Sequence, residues 1–284
     1  MSGFSRDWLA LREPADARAR SGAAAGELLR ALRQHLRGRR VRVLDLGCGT
    51  GANLRWLAPR LQCAQHWRLL DRDAGLLAAA PRCLARWSEA HAPGVVRHAA
   101  GLRLGDWLEV GFEQHDLATS LPDLRQVDLV TAAALLDLVS RTWLDALVHA
   151  CAARGTALLL ALSYDGRIAF APRHRDDARA RDALNRHQLR DKGFAAALGP
   201  GAAAAAGAAL QAAGYRVTQV RSDWCLARDR DALHDALIGG WSTALREESG
   251  AGDHDWLQRW HGWRLAHRGA LRVGHVDLLA LPPA

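Results

Sequence analysis

Gly47, Gly49 and Gly51 stand at alternate positions directly after the apolar run Val41-Arg42-Val43-Leu44-Asp45-Leu46. Glycine lets a chain turn sharply and lets a ligand approach bare backbone; at a helix N-terminus the free N–H groups point at that ligand. The order Gly47-Cys48-Gly49-Thr50-Gly51-Ala52 satisfies the dinucleotide pattern G-x-G-x-x-G/A, with Asp71 at about the spacing where an acid meets a ribose. Taken alone, the glycines fit NAD or another nucleoside cofactor. Asp45, two residues before the first glycine, argues against NAD. A carboxylate there repels a pyrophosphate and holds an ammonium group, so the ligand expected is a nucleoside with a cationic amino-acid portion.

A second set of polar residues follows "SYDGR" (163–167), in "RHRDDARARDALNRHQLRDKGF" (173–194). On a helix, Asn185, His187, Gln188 and Lys192 would present a neutral base, amides and a cation on one side. His187 is the candidate general base, because imidazole titrates nearest neutrality. Tyr164 is the candidate hydrogen-bonding partner at a strand end, and Asp137 and His174 are the alternative acceptor-side groups. These residues read as a lid that aligns and dehydrates a substrate, or else as a solvated helix. "HRDD" offers too weak a ligand set for a metal, and none is expected. Trp256, Trp260 and Trp263 share helical spacing; they are expected to form a core face, with a stacking wall as the alternative.

The elements that must position these groups alternate. Apolar strands are expected at 41–46, 67–71, 108–117, 127–133 and 156–163, with helices near 52–61, 74–90 (interrupted by Pro81) and 141–153. Such alternation implies βαβ units and a parallel sheet. The rhythm breaks after Ser163, and late strands at 215–224 and 272–281 could complete the same sheet around helices at 202–213, 229–248 and 254–267. The expectation is an α/β fold with a Rossmann-like, seven-stranded, mostly parallel sheet and helices on both faces. Residues 1–40 would be an N-terminal helical extension, broken near Ser21-Gly22. Residues 41–284 would be the main domain, with helical lid insertions at about 164–200 and 225–270.

Composition narrows the classes. The chain has 284 residues, 49% hydrophobic and 24% charged, as in a globular protein. No run reaches the ~18 apolar residues of a membrane span, and the N-terminal residues lack a signal-peptide h-region, so a cytoplasmic protein is expected. Five scattered cysteines without C-x-x-C fit reduced, mostly buried thiols. The net charge of +8 is dispersed arginine with a single lysine, Lys192; only "RQHLRGRR" (33–40) clusters, and it suits a helix C-terminus. Nucleic acid is therefore not the expected partner.

"VLDLGCGTG" (43–51) resembles motif I of the class I S-adenosylmethionine-dependent methyltransferases, and the resemblance spans roughly residues 41–163. It implies that Gly47, Gly49 and Gly51 line the methionine and ribose side, with Asp45 beneath the amino group. It implies that Asp71 bonds both ribose hydroxyls, that Asp116 accepts from the adenine amino group, and that Leu117 packs on the purine. Cys48, Arg72 and Ala133 are expected beside them as cofactor contacts. "DLVTAAALLDLVS" (128–140) matches the fourth strand and the turn facing the methyl donor. That turn lacks both the D/N-P-P-Y/F of nucleic-acid amine methyltransferases and a Pro-Cys nucleophile. The implied activity is methyl transfer from S-adenosylmethionine to a small molecule at nitrogen or oxygen. The alternatives are an RNA or protein methyltransferase, a non-catalytic S-adenosylmethionine-binding subunit, and NAD-dependent reduction.

Overall fold

The computed structural model describes residues 4–91, 94–99, 101–227, 231–249 and 255–283. In chain order the elements are α1 (Arg6–Ala19), α2 (Ala23–His35), β1 (Val41–Leu46), α3 (Ala52–Leu61), β2 (Gln65–Asp71) and α4 (Ala74–His91). β3 (Val95–His98), β4 (Gly101–Leu104), β5 (Leu108–Gln114), β6 (Leu129–Ala133), α5 (Arg141–Ala152) and β7 (Ala157–Ala171) follow. The last are α6 (Asp177–Gln188), α7 (Ala202–Ala212), β8 (Arg216–Arg221), β9 (Trp224–Leu226), α8 (Asp231–Ser249), α9 (Asp255–Ala266) and β10 (Ala270–Leu281).

The sheet runs β3-β4-β5-β2-β1-β6-β7-β10-β8, with β9 also paired to β10. β5, β2, β1, β6 and β7 are mutually parallel, and β10 is antiparallel to both β7 and β8. Strands covered on both faces need continuous apolar sequence rather than alternation; β1 and β6 are buried along almost their whole length. Leu32, Leu57, Trp67 and Leu84 fill one side of the sheet. Leu44, Val130, Leu147 and Leu210 fill the other. Strand order reverses between β1 and β6, and ligands of open α/β sheets bind beyond the carboxyl ends at such a point.

Four local expectations change. β7 continues past Ser163 to Ala171, because β10 pairs with it from Ala270 onward. The stretch expected as a lid insertion therefore starts as a strand and turns into α6 only at Asp177. The expected strand at 215–224 is split at Ser222-Asp223, whose side chains turn inward. Ser222 Oγ donates to Asp277 at 2.6 Å and Asp223 pairs with Arg167 at 2.7 Å. Pro81 does not interrupt α4, and the β3–β4 hairpin has no counterpart in the sequence reading. Cys225 is exposed on β9, while Cys48 and Cys151 are buried. Among the described residues no helix is long and apolar enough to cross a membrane.

The N-terminal helices pack into the body. α2 places Leu28, Leu29 and Leu32 in the first core cluster. α6, α8, α9 and the extended end of β7 build a third cluster around Phe170, Trp224, Trp256 and Trp260. This helical cap stands over the carboxyl ends of the parallel strands.

Candidate active site

The glycine loop leaves β1 with Gly47, Gly49 and Gly51 all at positive φ (66, 55 and 82°), where side chains are strained. A Cβ on Gly49 would come within 2.9 Å of Leu9 Cδ1 from α1. Asp71, at the end of β2, clamps the loop: its Oδ2 accepts from the Gly49 amide at 2.8 Å and its Oδ1 from the Asp73 amide at 2.9 Å. A carboxylate oxygen accepts two hydrogen bonds, so each retains one acceptor site for a ligand hydroxyl. Asp73 takes the helix-capping role, accepting from Gly75 and Leu76 amides at 2.8 and 3.0 Å.

A cleft of about 140 Å³ opens here, lined by Gly47, Gly49, Asp71, Arg72, Asp116 and Leu117 among others. Asp116 is exposed beyond β5, with Oδ1 accepting from the Ala118 amide at 3.0 Å. Leu117 is buried, presenting an apolar surface. Ala133 lines this cleft and the adjoining one against α1. Cys48 lines only the latter, where its buried thiol donates weakly to the Gly49 carbonyl at 3.6 Å.

Asp45 lies deeper than the sequence suggests. It is wholly buried, and its Oδ1 accepts from Asn53 Nδ2 at 2.8 Å. Asn53 in turn accepts from Arg20 Nη1 at 3.0 Å, and Arg20 pairs with Asp277 at 3.1 Å. Asn53 and Arg20 reach the cleft against α1. The link from Asp45 to that cleft runs through them, because Asn53 fills the space between. Burial pushes the Asp45 carboxyl up to about 7, opposed by the Asn53 hydrogen bond and Arg20.

A second cavity of about 370 Å³ adjoins the glycine-loop cleft under the helical cap. The two share Phe4, Arg12, Arg72, Ala134, Leu138 and Lys192. Ala134 and Leu162, which line the chamber, are both non-glycine residues at φ 55°, and such local strain concentrates at functional sites. Tyr164, His187, Gln188, Lys192 and Asp137 all line this chamber, so one space gathers most of the expected acceptor-side residues.

Three expectations are corrected there. Asn185 accepts from the Tyr164 hydroxyl at 2.7 Å and donates to the Gly166 carbonyl at 3.1 Å, so it props Tyr164 from behind. His187 has both ring nitrogens engaged: Glu247 Oε2 lies 2.9 Å from Nε2, and Lys192 Nζ lies 3.3 Å from Nδ1. Lysine is donor only, so Nδ1 accepts, Nε2–H donates, and no lone pair is left to take a substrate proton. The Trp-bearing helix α9 forms the core face expected of it, not the alternative stacking wall. Trp256 and Trp260 are buried, and Trp260 Nε1 donates to Asp177 at 3.0 Å. His174 packs on Trp263 at 5.0 Å between ring centroids, outside the chamber.

The topology, with β10 inserted antiparallel between β7 and β8, and the glycine loop clamped by Asp71 decide the architecture. The chain has the class I methyltransferase fold. No protein-family model and no curated protein matches it. Among solved structures it is similar to the YcgJ protein of Bacillus subtilis, at 13% identity over 91% of this chain and 99% of that one, with a TM-score of 0.50. The cyclopropane synthase MmaA2 of Mycobacterium tuberculosis aligns at 13% identity over 98% and 94%, TM-score 0.49. A SAM-dependent methyltransferase from Thiobacillus denitrificans, in complex with S-adenosyl-L-homocysteine, aligns at 17% over 99% and 100%, TM-score 0.43. At such identities the shared property is the fold.

On this methyltransferase fold the residues that sequence reading missed belong to α1. Leu9, Glu13, Asp16 and Arg20 follow helical spacing and face the cleft. Glu13 grips Arg55 through two bonds, at 2.7 and 2.6 Å. Asp16 accepts from Trp224 Nε1 at 2.9 Å, which fixes a chamber wall. A polar stripe recurring at intervals of three and four was the available signal.

Proposed function

We propose that the protein transfers a methyl group from S-adenosylmethionine to a small-molecule acceptor at nitrogen or oxygen. One observation carries this reading: the cleft at the sheet's switch point shares lining residues with an aromatic-lined chamber of about 370 Å³. The chamber's volume lies within the range of small-molecule sites, ~300–1,000 Å³. The chain's residues suit the donor. Asp71 has acceptor capacity left for two ribose hydroxyls, and Leu117 offers an apolar surface for a purine. Arg20, whose buried Nη2 has no hydrogen-bond partner, lines the adjoining cleft against α1 and supplies a positive charge for the carboxylate of an amino-acid portion, with Asp45 behind it through Asn53.

When bound, the donor supplies an already activated methyl carbon on sulfur. The protein's work is then to align the acceptor and exclude water, worth several orders of magnitude in rate. The cap formed by α1, α6 and α8 provides the enclosure. Arg12 and the Ala134–Leu138 turn form the partition across which the two ligands meet.

Calorimetry against S-adenosylmethionine, S-adenosylhomocysteine and NAD tests the donor assignment, with binding expected for the first two alone. Labelled donor incubated with total RNA and with a small-molecule extract tests the acceptor class, with label expected only in the extract. Stoichiometric labelling of one RNA species would overturn it.

A further inference from the structure

The chamber holds a carboxylate oxygen with nothing to bind. Asp137 sits on a 3₁₀ turn (Leu136–Leu138) beyond β6, is 7% exposed, and its Oδ1 is buried without a hydrogen-bond partner. Leaving such an atom unpaired is costly. A second orphan belongs to the same wall: the buried indole Nε1 of Trp8 donates to nothing. The same chamber is lined by aromatic rings set at angles to one another, 48° between Trp224 and His275 and 66° between Tyr164 and His275. Trp224 lies 4.9 Å from the ring of His275, and Tyr164 lies 6.3 Å from it. Trp241 closes the chamber from α8. A planar ring suits these surfaces.

Charge narrows the choice further. Arg12, Arg72 and Lys192 line the chamber against the one carboxylate of Asp137; Arg12 is also paired with Asp16 at 2.9 Å, and the fields of Arg12 and Lys192 reach Asp137. That surplus disfavours a protonated amine and favours a group that becomes anionic as it reacts. The other titratable groups on the chamber wall are unsuited to take a proton. His187 has no spare lone pair. The Tyr164 hydroxyl donates to Asn185. His275 donates from Nδ1 to the Val273 carbonyl at 3.1 Å, and burial pushes its pKa down to about 3.

We infer that the acceptor is a planar aromatic hydroxyl compound methylated on oxygen, with Asp137 receiving the hydroxyl proton and Arg12 and Lys192 offsetting the oxyanion. This rests on the methyl-transfer reading above. In the step, the O–H bond breaks toward Asp137 Oδ1 and an oxygen lone pair forms the O–CH₃ bond. The S–CH₃ bond breaks with its electron pair returning to sulfur. A sulfonium and a carboxylate become a thioether and a carboxylic acid, so charge balances. Trp8 Nε1 would donate to a second oxygen or a ring nitrogen on the same acceptor. Because burial raises the Asp137 carboxyl to about 6, the rate should climb with pH through that region as the carboxylate forms. Burial and Asp165 hold the Tyr164 hydroxyl neutral there.

The full chain, saturated with S-adenosylhomocysteine, is titrated with 2-naphthol, 2-naphthylmethylamine and naphthalene by tryptophan fluorescence. The naphthol is expected to bind at least about tenfold more tightly than either of the others. Asp137→Asn should lower transfer to 2-naphthol by about 100-fold and remove the limb near pH 6, with S-adenosylhomocysteine affinity kept within a factor of about three. The amine binding as tightly as the naphthol overturns the acceptor assignment. So does the absence of any arene binding while S-adenosylhomocysteine still binds. Absence of S-adenosylhomocysteine binding overturns the methyl-transfer reading itself. The wild-type binding comparison decides the matter even if the variant fails to fold.

Discussion

Arg55 of α3 and Glu13 of α1 form a two-pronged ion pair, Nε to Oε1 at 2.7 Å and Nη2 to Oε2 at 2.6 Å, directly above the glycine loop. Arg55 also donates to the Thr50 carbonyl within that loop at 2.6 Å. The helix that covers the cleft is thus fastened to the backbone that would hold the donor. Bidentate, charge-assisted bonds of this kind exceed ordinary surface pairs. Glu13→Gln is expected to cost about 1–2 kcal/mol of stability and to speed dissociation of S-adenosylhomocysteine several-fold. Stopped-flow displacement would check this; an unchanged dissociation rate would mean that α1 does not gate the cleft.

Asp71 joins two jobs, clamping Gly49 and keeping acceptor capacity toward the cleft. Asp71→Ala removes both, and should weaken S-adenosylhomocysteine binding by about 1.5–3 kcal/mol. Asp71→Asn retains a carbonyl acceptor and should lose less. Calorimetry on both variants separates the charge from the hydrogen bonds, and equal losses would place the effect in the charge alone.

The glycine-loop side of the candidate site was legible because its signals are local. The glycines, Asp71 and Asp116 each follow or close a strand, Val41–Leu46, Gln65–Asp71 or Leu108–Gln114, that the strand–helix alternation announces. The acceptor side was not, because its determinants are joined across the chain. Asp16 fixes the chamber residue Trp224 over a separation of 208 residues, and His187 meets Glu247 over 60. An imidazole reads as a base in sequence and becomes a fixed donor only when Glu247 and Lys192 arrive. By contrast α9 carries a tryptophan face whose helical spacing reads as core, with a wall as the alternative. The buried Asp177–Arg264 ion pair and the Trp260 bond to Asp177 make it core.

His187→Ala should accordingly lower turnover by less than about tenfold, whereas loss of a general base costs about 10²–10⁴-fold. The residual effect comes from freeing Lys192, which His187 holds at 3.3 Å along the chamber wall. Steady-state kinetics with any accepted substrate would check it. A hundredfold loss would restore His187 as the base.

Asp137 also gives the fold a predictable pH response. Its folded-state pKa lies at about 6, raised from 3.8 chiefly by burial, with Arg12 and Lys192 acting in the opposite direction. The folded protein therefore binds this proton more tightly than the unfolded chain does. Between pH 4 and 6 that preference stabilises the fold, and it is lost as pH rises through the folded value. Above about pH 7 the carboxylate is ionised in both states, and backbone hydrogen bonds, Arg12 and Lys192 offset its burial only in part. Asp137→Asn should therefore stabilise the protein at pH 8, by up to about 3 kcal/mol at ~1.4 kcal/mol per pKa unit. The gain should shrink toward zero near pH 4, where the native side chain is protonated. Asp45, raised to about 7 in the same direction, remains in both proteins and so cancels from the difference. Paired thermal melts from pH 4 to 8 would show the effect as a divergence that grows with pH. Parallel melting curves across that range would mean that Asp137 is solvated or paired when ionised.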